Sequence, residues 1–171
     1  MAASRERVSR DGAYMLKADI QEIQVASFRL GDDLFAIDIM RIKEIIRPQK
    51  LSLLPKAPPF VEGVINLRGT VIPVIDLRKR FDMPEREDSL PIRLLIVAVT
   101  GQLLGLVVDD VTEVVTVPVK DIKPPPQMVG GIGAEYLIGV CLARESLIML
   151  LNIDQLLSTR EADELAGFNP R

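Results

Sequence analysis

Hydrophobic and polar positions alternate along this chain in short runs that are separated by glycine-led turns. In residues 60–81, the pattern predicts a strand at 64–67, a turn at Gly69-Thr70, a second strand at 71–75 and a helix starting at Asp76. Glycine in the first central position of a two-residue turn is typical of a type II′ hairpin. Aspartate is favoured where a helix begins because its side chain accepts hydrogen bonds from free N–H groups. The segment therefore predicts a β-hairpin followed by a short helix.

A second copy of this pattern lies at residues 136–157. In a match without gaps, Gly139 and Arg144 take the places of Gly63 and Arg68. One deletion extends the match upstream. The other aligned pairs are Val64 with Val140, Ile72 with Ile148, Asp76 with Asn152, Glu44 with Glu113, and Ile42 with Val111. The chain therefore contains two halves built on one plan.

The same alternation predicts the remaining elements. Further strands are expected at residues 25–30, 34–37, 94–99, 103–108 and 114–119, with turns led by Gly31 and Gly101. Asp38 is predicted to begin a short helix that ends at Pro48. Its apolar positions at helical spacing are Ile39, Ile42 and Ile46. Because proline donates no ladder hydrogen bond, Pro73 places its strand at a sheet edge.

Each half thus offers about five short, evenly spaced strands, which is typical of sandwiches and barrels. A closed five-stranded barrel hides its edges, so we expect two barrels side by side. The predicted organisation is a flexible arm at 1–22, a domain at 23–158 and a polar tail at 159–171. Within the domain, the charged loop at 82–89 separates a first barrel at about 23–88 from a second at about 89–158. Exchange of strands between the barrels is left open.

The amino-acid composition argues against several classes of function. The net charge is −3, the isoelectric point is about 5.1 and only 4% of residues are aromatic, which argues against nucleic acid as a partner. The single cysteine, Cys141, excludes an internal disulfide and fits a reducing compartment. No signal peptide and no apolar run of membrane-spanning length is seen. We expect a cytoplasmic protein that does not insert into a membrane.

Candidate chemistry is sparse. The chain has no histidine, which removes the commonest general base and metal ligand. Cys141 lies in an apolar run and fits a buried packing thiol better than a nucleophile. Asp109 and Asp110 are adjacent on a strand and point to opposite faces, so they do not share a site. The basic run 78–80 is interpreted as a solvated helix face. We therefore expect a binding module without catalytic residues, metal or cofactor.

Two segments carry a resemblance to a known family. GVINLRGTVIPVIDLR (residues 63–78) resembles the signature of the CheW family of bacterial chemotaxis coupling proteins, and residues 28–46 resemble the segment that precedes it. The resemblance covers about residues 24–158. It implies a mainly β fold of two SH3-like five-stranded barrels with a few short helices. It also implies a non-catalytic adaptor that is recruited to membrane-associated receptor arrays.

The partners that this resemblance implies are a CheA-type histidine kinase and the cytoplasmic tips of methyl-accepting chemoreceptors. Carried over by position, Arg68 is expected at the receptor-facing groove, with Glu44 nearby and pairing with it. Ile42 is expected to contact the receptor helix, and Asn66 to shape the turn or contact the partner. No kinase-binding residue is assigned.

Other interpretations stay open beside these. Arg144 repeats Arg68, so an arginine here has a possible structural role in the hairpin. Ile42 fits a core residue and Glu44 a solvated charge. The family also leaves open a non-flagellar chemosensory pathway, with output to pili or second messengers. The alternatives from other classes are a nucleic-acid-binding double barrel and a hydrolase that uses Cys141 or carboxylates.

Overall fold

The computed structural model describes residues 21–87, 91–129 and 132–166. Its strands are β1 (Glu22–Leu30), β2 (Asp33–Asp38), β3 (Ile42–Ile46), β4 (Val61–Leu67), β5 (Thr70–Asp76), β6 (Arg93–Val99), β7 (Gln102–Val108), β8 (Asp110–Pro118), β9 (Met128–Val129), β10 (Ile132–Gly133), β11 (Leu137–Ala143) and β12 (Ser146–Leu151). Its α-helices are α1 (Leu77–Arg80) and α2 (Thr159–Ala166). Short 3-10 turns lie at Ile39–Arg41, Val119–Asp121, Ala134–Tyr136 and Ile153–Gln155.

Ten of these strands form two five-stranded sheets with the same internal order. Sheet one runs β11-β12-β2-β1-β8, and sheet two runs β4-β5-β7-β6-β3. Each sheet contains two hairpins, and their second strands pair with each other in parallel. These parallel pairs are β2 with β12 in sheet one and β7 with β5 in sheet two. The fold is therefore mainly β, as predicted, and the sequence duplication appears as two equivalent sheets.

The sheets do not follow the two sequence halves. Sheet one combines β1 and β2 with β8, β11 and β12, and sheet two combines β3, β4 and β5 with β6 and β7. A division into a barrel at about 23–88 and another at about 89–158 therefore separates strands that are hydrogen-bonded to each other. Each half donates its first hairpin to the sheet of the other half.

Only the inner ends of the predicted arm at 1–22 and tail at 159–171 lie in the described part of the chain. Residues 1–20 lie outside the described part of the chain, but Gln21 and Glu22 already join sheet one, where the carbonyl of Gln21 accepts from Val119 N. At the other end, α2 packs the fully buried Leu165 against the main core. Ser158 and Glu161 cap this helix reciprocally, in the arrangement known as a capping box. Residues 167–171 are outside the described part.

The Gly31-Asp32 turn lies where it was predicted, whereas the turns at Gly69 and Gly101 lie one residue earlier than predicted. Leu67 pairs with Thr70, so the two turn residues are Arg68 and Gly69. Both have positive φ, 52° and 88°, as in a type I′ turn rather than the predicted type II′ turn. A type I′ turn matches the twist of the strands, and glycine takes its second position.

The prediction of a short helix after Asp38 was wrong. Only Ile39–Arg41 forms a 3-10 turn, which Asp38 caps by accepting from Met40 N, and residues 42–46 form β3. The sequence IKEII fits both periods because it is short. Antiparallel pairing with the buried strand β6 decides in favour of a strand.

The edge position predicted for Pro73 was also wrong. Its strand, β5, lies between β4 and β7 inside sheet two. Pairing with β7 begins only at Val74, one residue later, so the missing N–H of Pro73 interrupts no ladder hydrogen bond. Proline is tolerated inside the sheet because Pro73 lies just before the residues of β5 that pair with β7.

Hydrophobic side chains form three buried clusters. The largest joins residues of both sheets, including Phe28 and Phe35 from sheet one and Leu95 and Leu106 from sheet two. A smaller cluster lies within each sheet, around Ile148 in sheet one and in sheet two among Ile65, Ile72, Val74, Leu94, Ile96 and Val107. The main core thus holds the two curled sheets together.

Candidate functional site

The tip of the β4–β5 hairpin carries an exposed arginine on a fixed turn. Arg68 has positive φ and its side chain is 68% exposed. Beside it, the Oδ1 atom of Asn66 accepts a hydrogen bond from the backbone N of Gly69 at 2.9 Å. Asn66 therefore shapes the turn, which is one of its two expected roles, and the turn presents the guanidinium of Arg68 to solvent.

A carboxylate from another strand meets this arginine. Glu44 lies on β3 and forms an ion pair with Arg68, as predicted. Since β3 and β4 are the two end strands of sheet two, the ion pair joins the two edges of the curled sheet. Glu44 thereby limits the directions in which the guanidinium can point.

Ile42, the third predicted residue, occupies a different setting. It lies at the start of β3, opposite Val97, and is half-buried against the main core. Much of its side chain therefore contributes to packing. The structure thus brings Glu44, Arg68 and Asn66 together at one tip. Ile42 lies two residues before Glu44, at the start of the same strand.

Sheet one has an equivalent tip with different neighbours. Arg144, also at positive φ, forms an ion pair with Glu113 of β8 at 2.7 Å. Leu142 stands where Asn66 stands in sheet two, and its side chain is 72% exposed. The arginine and its glutamate partner are therefore a shared feature of the duplicated plan, whereas the asparagine cap belongs to sheet two alone.

Removal of the Asn66 cap should loosen the sheet-two tip selectively. We expect Asn66→Ala to lower the free energy of unfolding by about 1 kcal/mol, because the Gly69 N–H loses its acceptor. Chemical denaturation measures the loss, and amide exchange at Gly69 should become faster. The matched control is Leu142→Ala, which removes no hydrogen bond at the equivalent position. A protected Gly69 amide in Asn66→Ala would contradict the capping role.

Three ion pairs between distant parts of the chain were not predicted. The basic run 78–80 was expected on a solvated helix face, but Arg78 is buried and binds both carboxylate oxygens of Asp109. The side chain of Arg80 is only 15% exposed and binds Glu161 of α2 at 3.1 Å. Arg41 binds Asp154 at 2.6 Å, and this bond lowers the pKa of the Asp154 carboxyl. The partners in these pairs are 31, 81 and 113 residues apart, so no local pattern in the sequence could have paired them.

The titratable groups offer little for catalysis. Cys141 is buried in the sheet-one cluster, and burial raises the pKa of its thiol, as expected for a packing residue. Burial and the nearby Glu62 raise the pKa of the Asp76 carboxyl, although that carboxyl also caps α1. Among the described residues, no group of three or more potential metal ligands occurs. In the same part of the chain, no helix has the length and apolar character needed to cross a membrane.

Comparison with known proteins gives consistent matches. Residues 24–161 match the family model described as the CheW-like domain. The chemotaxis protein CheW of Treponema pallidum is 39% identical over 151 residues, covering 86% of this chain and 89% of that protein. Protein FrzA of Myxococcus xanthus is 38% identical over 135 residues, or 77% of this chain and 83% of that protein. The crystal structure of the scaffolding protein TtCheW from Thermoanaerobacter tengcongensis has a TM-score of 0.76 at 33% identity, covering 82% of this chain and 96% of that chain.

Proposed function

The chain belongs to the CheW-like domain family of chemotaxis scaffold proteins, and on this premise we propose that it couples chemoreceptor signalling tips to a CheA-type histidine kinase. In this role it is a non-catalytic adaptor that works in the cytoplasm at membrane-associated receptor arrays. The observation that supports the receptor-binding part most directly is the exposed guanidinium of Arg68, oriented by Glu44 at the hairpin tip.

The chemistry of the tip suits a protein partner. Arginine is enriched among residues that dominate interface energies, because it combines charge, planar hydrogen bonding and an apolar stem. The ion pair with Glu44 is exposed and therefore contributes only about 0–1 kcal/mol, so exchanging it for a partner contact costs little. A positive-φ turn capped by Asn66 keeps the backbone under Arg68 fixed. Less of the turn therefore has to become ordered when a partner binds.

The neighbouring residues complete the proposed receptor site. Glu44 supplies the acceptor that orients Arg68, and Asn66 holds the turn and offers its amide nitrogen to a partner. The exposed part of Ile42 adds apolar area on the same strand as Glu44. An amphipathic receptor helix would use both kinds of contact, since such helices bind through apolar side chains flanked by charges.

Charge reversal at the tip tests this proposal. We expect Arg68→Glu to weaken binding of a soluble receptor-tip fragment at least about tenfold, while the melting temperature stays within a few degrees. Glu44→Lys should weaken binding less, because it removes the orienting group and leaves Arg68 in place. Calorimetry with the purified fragment measures both effects. The matched control is Arg144→Glu at the equivalent tip of sheet one, which should bind as the wild type does.

A double variant separates direct contact from structural support. Arg68→Glu combined with Glu44→Lys restores an ion pair of reversed polarity at the same place. If Arg68 contacts the receptor, this double variant stays impaired; recovery of full affinity would show that only the pair matters for the fold of the tip. The adaptor role fails altogether if the wild type binds neither the receptor fragment nor the kinase and leaves receptor-dependent kinase activity unchanged.

A further inference from the structure

Sheet two contains an apolar cavity far from the Arg68 tip. The cavity has a volume of about 130 Å³, and its apolar lining includes Leu51, Val74, Leu94 and Val107. The exposed residues of the connection after β3, such as Gln49, reach its mouth, so it opens to the surface. A space of this size among aliphatic side chains accommodates one aliphatic side chain.

The duplicated fold shows what fills the same place in sheet one. Ser52 bridges to Val64 as Lys123 bridges to Val140, which makes Leu51 and Ile122, the residues just before each bridge, equivalent. Ile122 packs against the sheet-one cluster, and its Cγ2 atom approaches Gly139 so closely that a Cβ there would lie at 2.7 Å.

Leu51 behaves differently from its counterpart. It is 38% exposed and lies over the mouth, outside the hydrophobic side chains packed on the sheet-two cluster. The nearest atoms to a Cβ on Gly63 come from Ser52 and Leu53 and not from Leu51. Among the described residues, no side chain of sheet two takes the place of the isoleucine that closes sheet one, and the cavity lies beside Leu51, the equivalent of that isoleucine.

The rim of the cavity favours a neutral occupant with a hydrogen-bond acceptor. Glu62 is already bound by Lys79 at 2.6 Å, and the Asp76 carboxyl accepts from the backbone N of Arg78 at 2.9 Å. In contrast, the Nε atom of Arg86 is buried and has no hydrogen-bond partner in the described part of the chain. Two carboxylates at the rim disfavour a third, so a backbone carbonyl suits Arg86 better than an acidic group.

The cavity also lies apart from the proposed receptor site. Glu62 is near the start of β4 and Arg68 just beyond its end, and six residues of strand span about 20 Å. The cavity and the Arg68 tip are therefore separate places on the surface of sheet two.

From these observations we infer that the sheet-two cavity is an anchor site for a segment of a partner protein, which inserts an isoleucine-like aliphatic side chain and offers a backbone carbonyl to Arg86. Ile122 in sheet one is the intramolecular model of this occupant. The identification of the macromolecules used below rests on the proposed function, but the chemistry of the site does not.

A small probe tests the chemistry without any partner. N-acetyl-L-isoleucine N-methylamide carries one such side chain and two neutral carbonyls. In methyl-labelled protein we expect saturable shifts at Val74, Leu94 and Val107 in the millimolar range, and none at Ile148 of sheet one. The alanine analogue and N-acetyl-L-isoleucine with its free carboxylate should bind more weakly. Equal responses to all three compounds, or no saturable shift, would overturn the inference.

Variants provide matched controls for this titration. Val107→Phe fills the cavity from β7, and Leu51→Phe covers it from the rim; each should abolish the shifts while the fold persists, and the second keeps the test usable if the first misfolds. Arg86→Gln should weaken binding of the probe. Ile122→Ala should open the equivalent space in sheet one, so that the methyl of Ile148 now responds. Probe binding that persists in both filled variants would place the probe elsewhere and contradict the assignment.

Binding of macromolecules then tests whether a protein supplies the occupant. We expect Leu51→Phe to lower the affinity for the cognate kinase or the receptor fragment at least about tenfold. Probe binding together with unchanged affinity for both would assign the cavity to a free small molecule and overturn the protein-anchor proposal. If the wild type binds neither macromolecule, the proposed function fails, whereas the probe titration still decides whether the cavity accepts an aliphatic side chain.

Discussion

Replacing Arg78 with alanine is expected to lower the free energy of unfolding by about 3–5 kcal/mol, the largest loss among the ion pairs of the described residues. Arg78 donates to both carboxylate oxygens of Asp109 and to the carbonyl of Pro84. Asp109 in turn accepts from the backbone N of Gly31 at 2.7 Å. Removing the guanidinium leaves a carboxylate that is only 14% exposed without its cation. A buried charge without compensation is the costly outcome, rather than the loss of attraction itself.

This pair also connects parts that the sequence keeps apart. Arg78 belongs to α1, which follows sheet two, whereas Gly31 belongs to the β1–β2 turn of sheet one. Because Asp109 contacts both, we expect Arg78→Ala to loosen the contact between the sheets before it affects either sheet alone. Amide exchange should therefore rise first at Gly31 and Asp109.

Urea denaturation measures the loss, with Arg144→Ala as the matched control. The Arg144–Glu113 pair is solvent-exposed on both sides, so its removal should cost no more than about 1 kcal/mol. A double-mutant cycle with Asp109→Asn isolates the coupling energy. Similar losses for Arg78→Ala and Arg144→Ala would show that the buried pair has no special role.

Replacing Gly63 with alanine is expected to destabilise the protein by about 2–4 kcal/mol. Gly63 has φ of 146°, which L side chains rarely adopt, and a Cβ atom here would collide with the carbonyl oxygen of Ser52. The Ser52 backbone cannot move away easily, because it exchanges two hydrogen bonds of 2.8 Å with Val64. The substitution should therefore detach the connection that runs beside β4.

Two other glycines separate the causes of this effect. Gly69 has φ of 88° but open space around it, so Gly69→Ala carries backbone strain alone and should cost about 1–2 kcal/mol. At Gly139, the equivalent of Gly63, a Cβ would lie 2.5 Å from the carbonyl oxygen of Lys123, so the collision recurs. Thermal and urea denaturation rank the three variants. A loss at Gly63→Ala no larger than that at Gly69→Ala would rule out the collision as the main cause.

The duplication was the part of the fold most readable from sequence. Gly63 and Gly139 align without gaps because both sheets need a glycine where another segment crosses close by. The glutamate and arginine of each tip align for a similar reason, since each pair joins the end strands of its sheet. Prediction from the local sequence was less accurate where the hydrophobic pattern fits both the helical and the strand period. Residues 42–46 fit a helix and a strand equally well until β6 is present to pair with them.

Turn geometry shows a further limit of local rules. Positive φ is uncommon for residues other than glycine, so the glycine was expected to lead each turn. In the structure Gly31 does lead its turn, but Arg68 and Thr100 take the first position of the other two at positive φ, and the glycine follows. Turns of type I′ and type II′ both match the twist of the paired strands, so the pairing register decides which position the glycine takes.

The amino-acid sequence by itself determined that this chain is a duplicated, mainly β protein, whereas the expectation that Glu44 lies beside Arg68 came from the family resemblance. The strands and the duplication depend on alternation, glycine placement and repeated spacing, which can be read in order along the chain. Only the tertiary structure decided that the halves exchange hairpins, that Arg78 is buried against Asp109, and that sheet two has a cavity beside Leu51, the equivalent of Ile122. The physical reason is that pairing between distant segments is selected by the burial and hydrogen bonding of the whole chain, which no local pattern encodes.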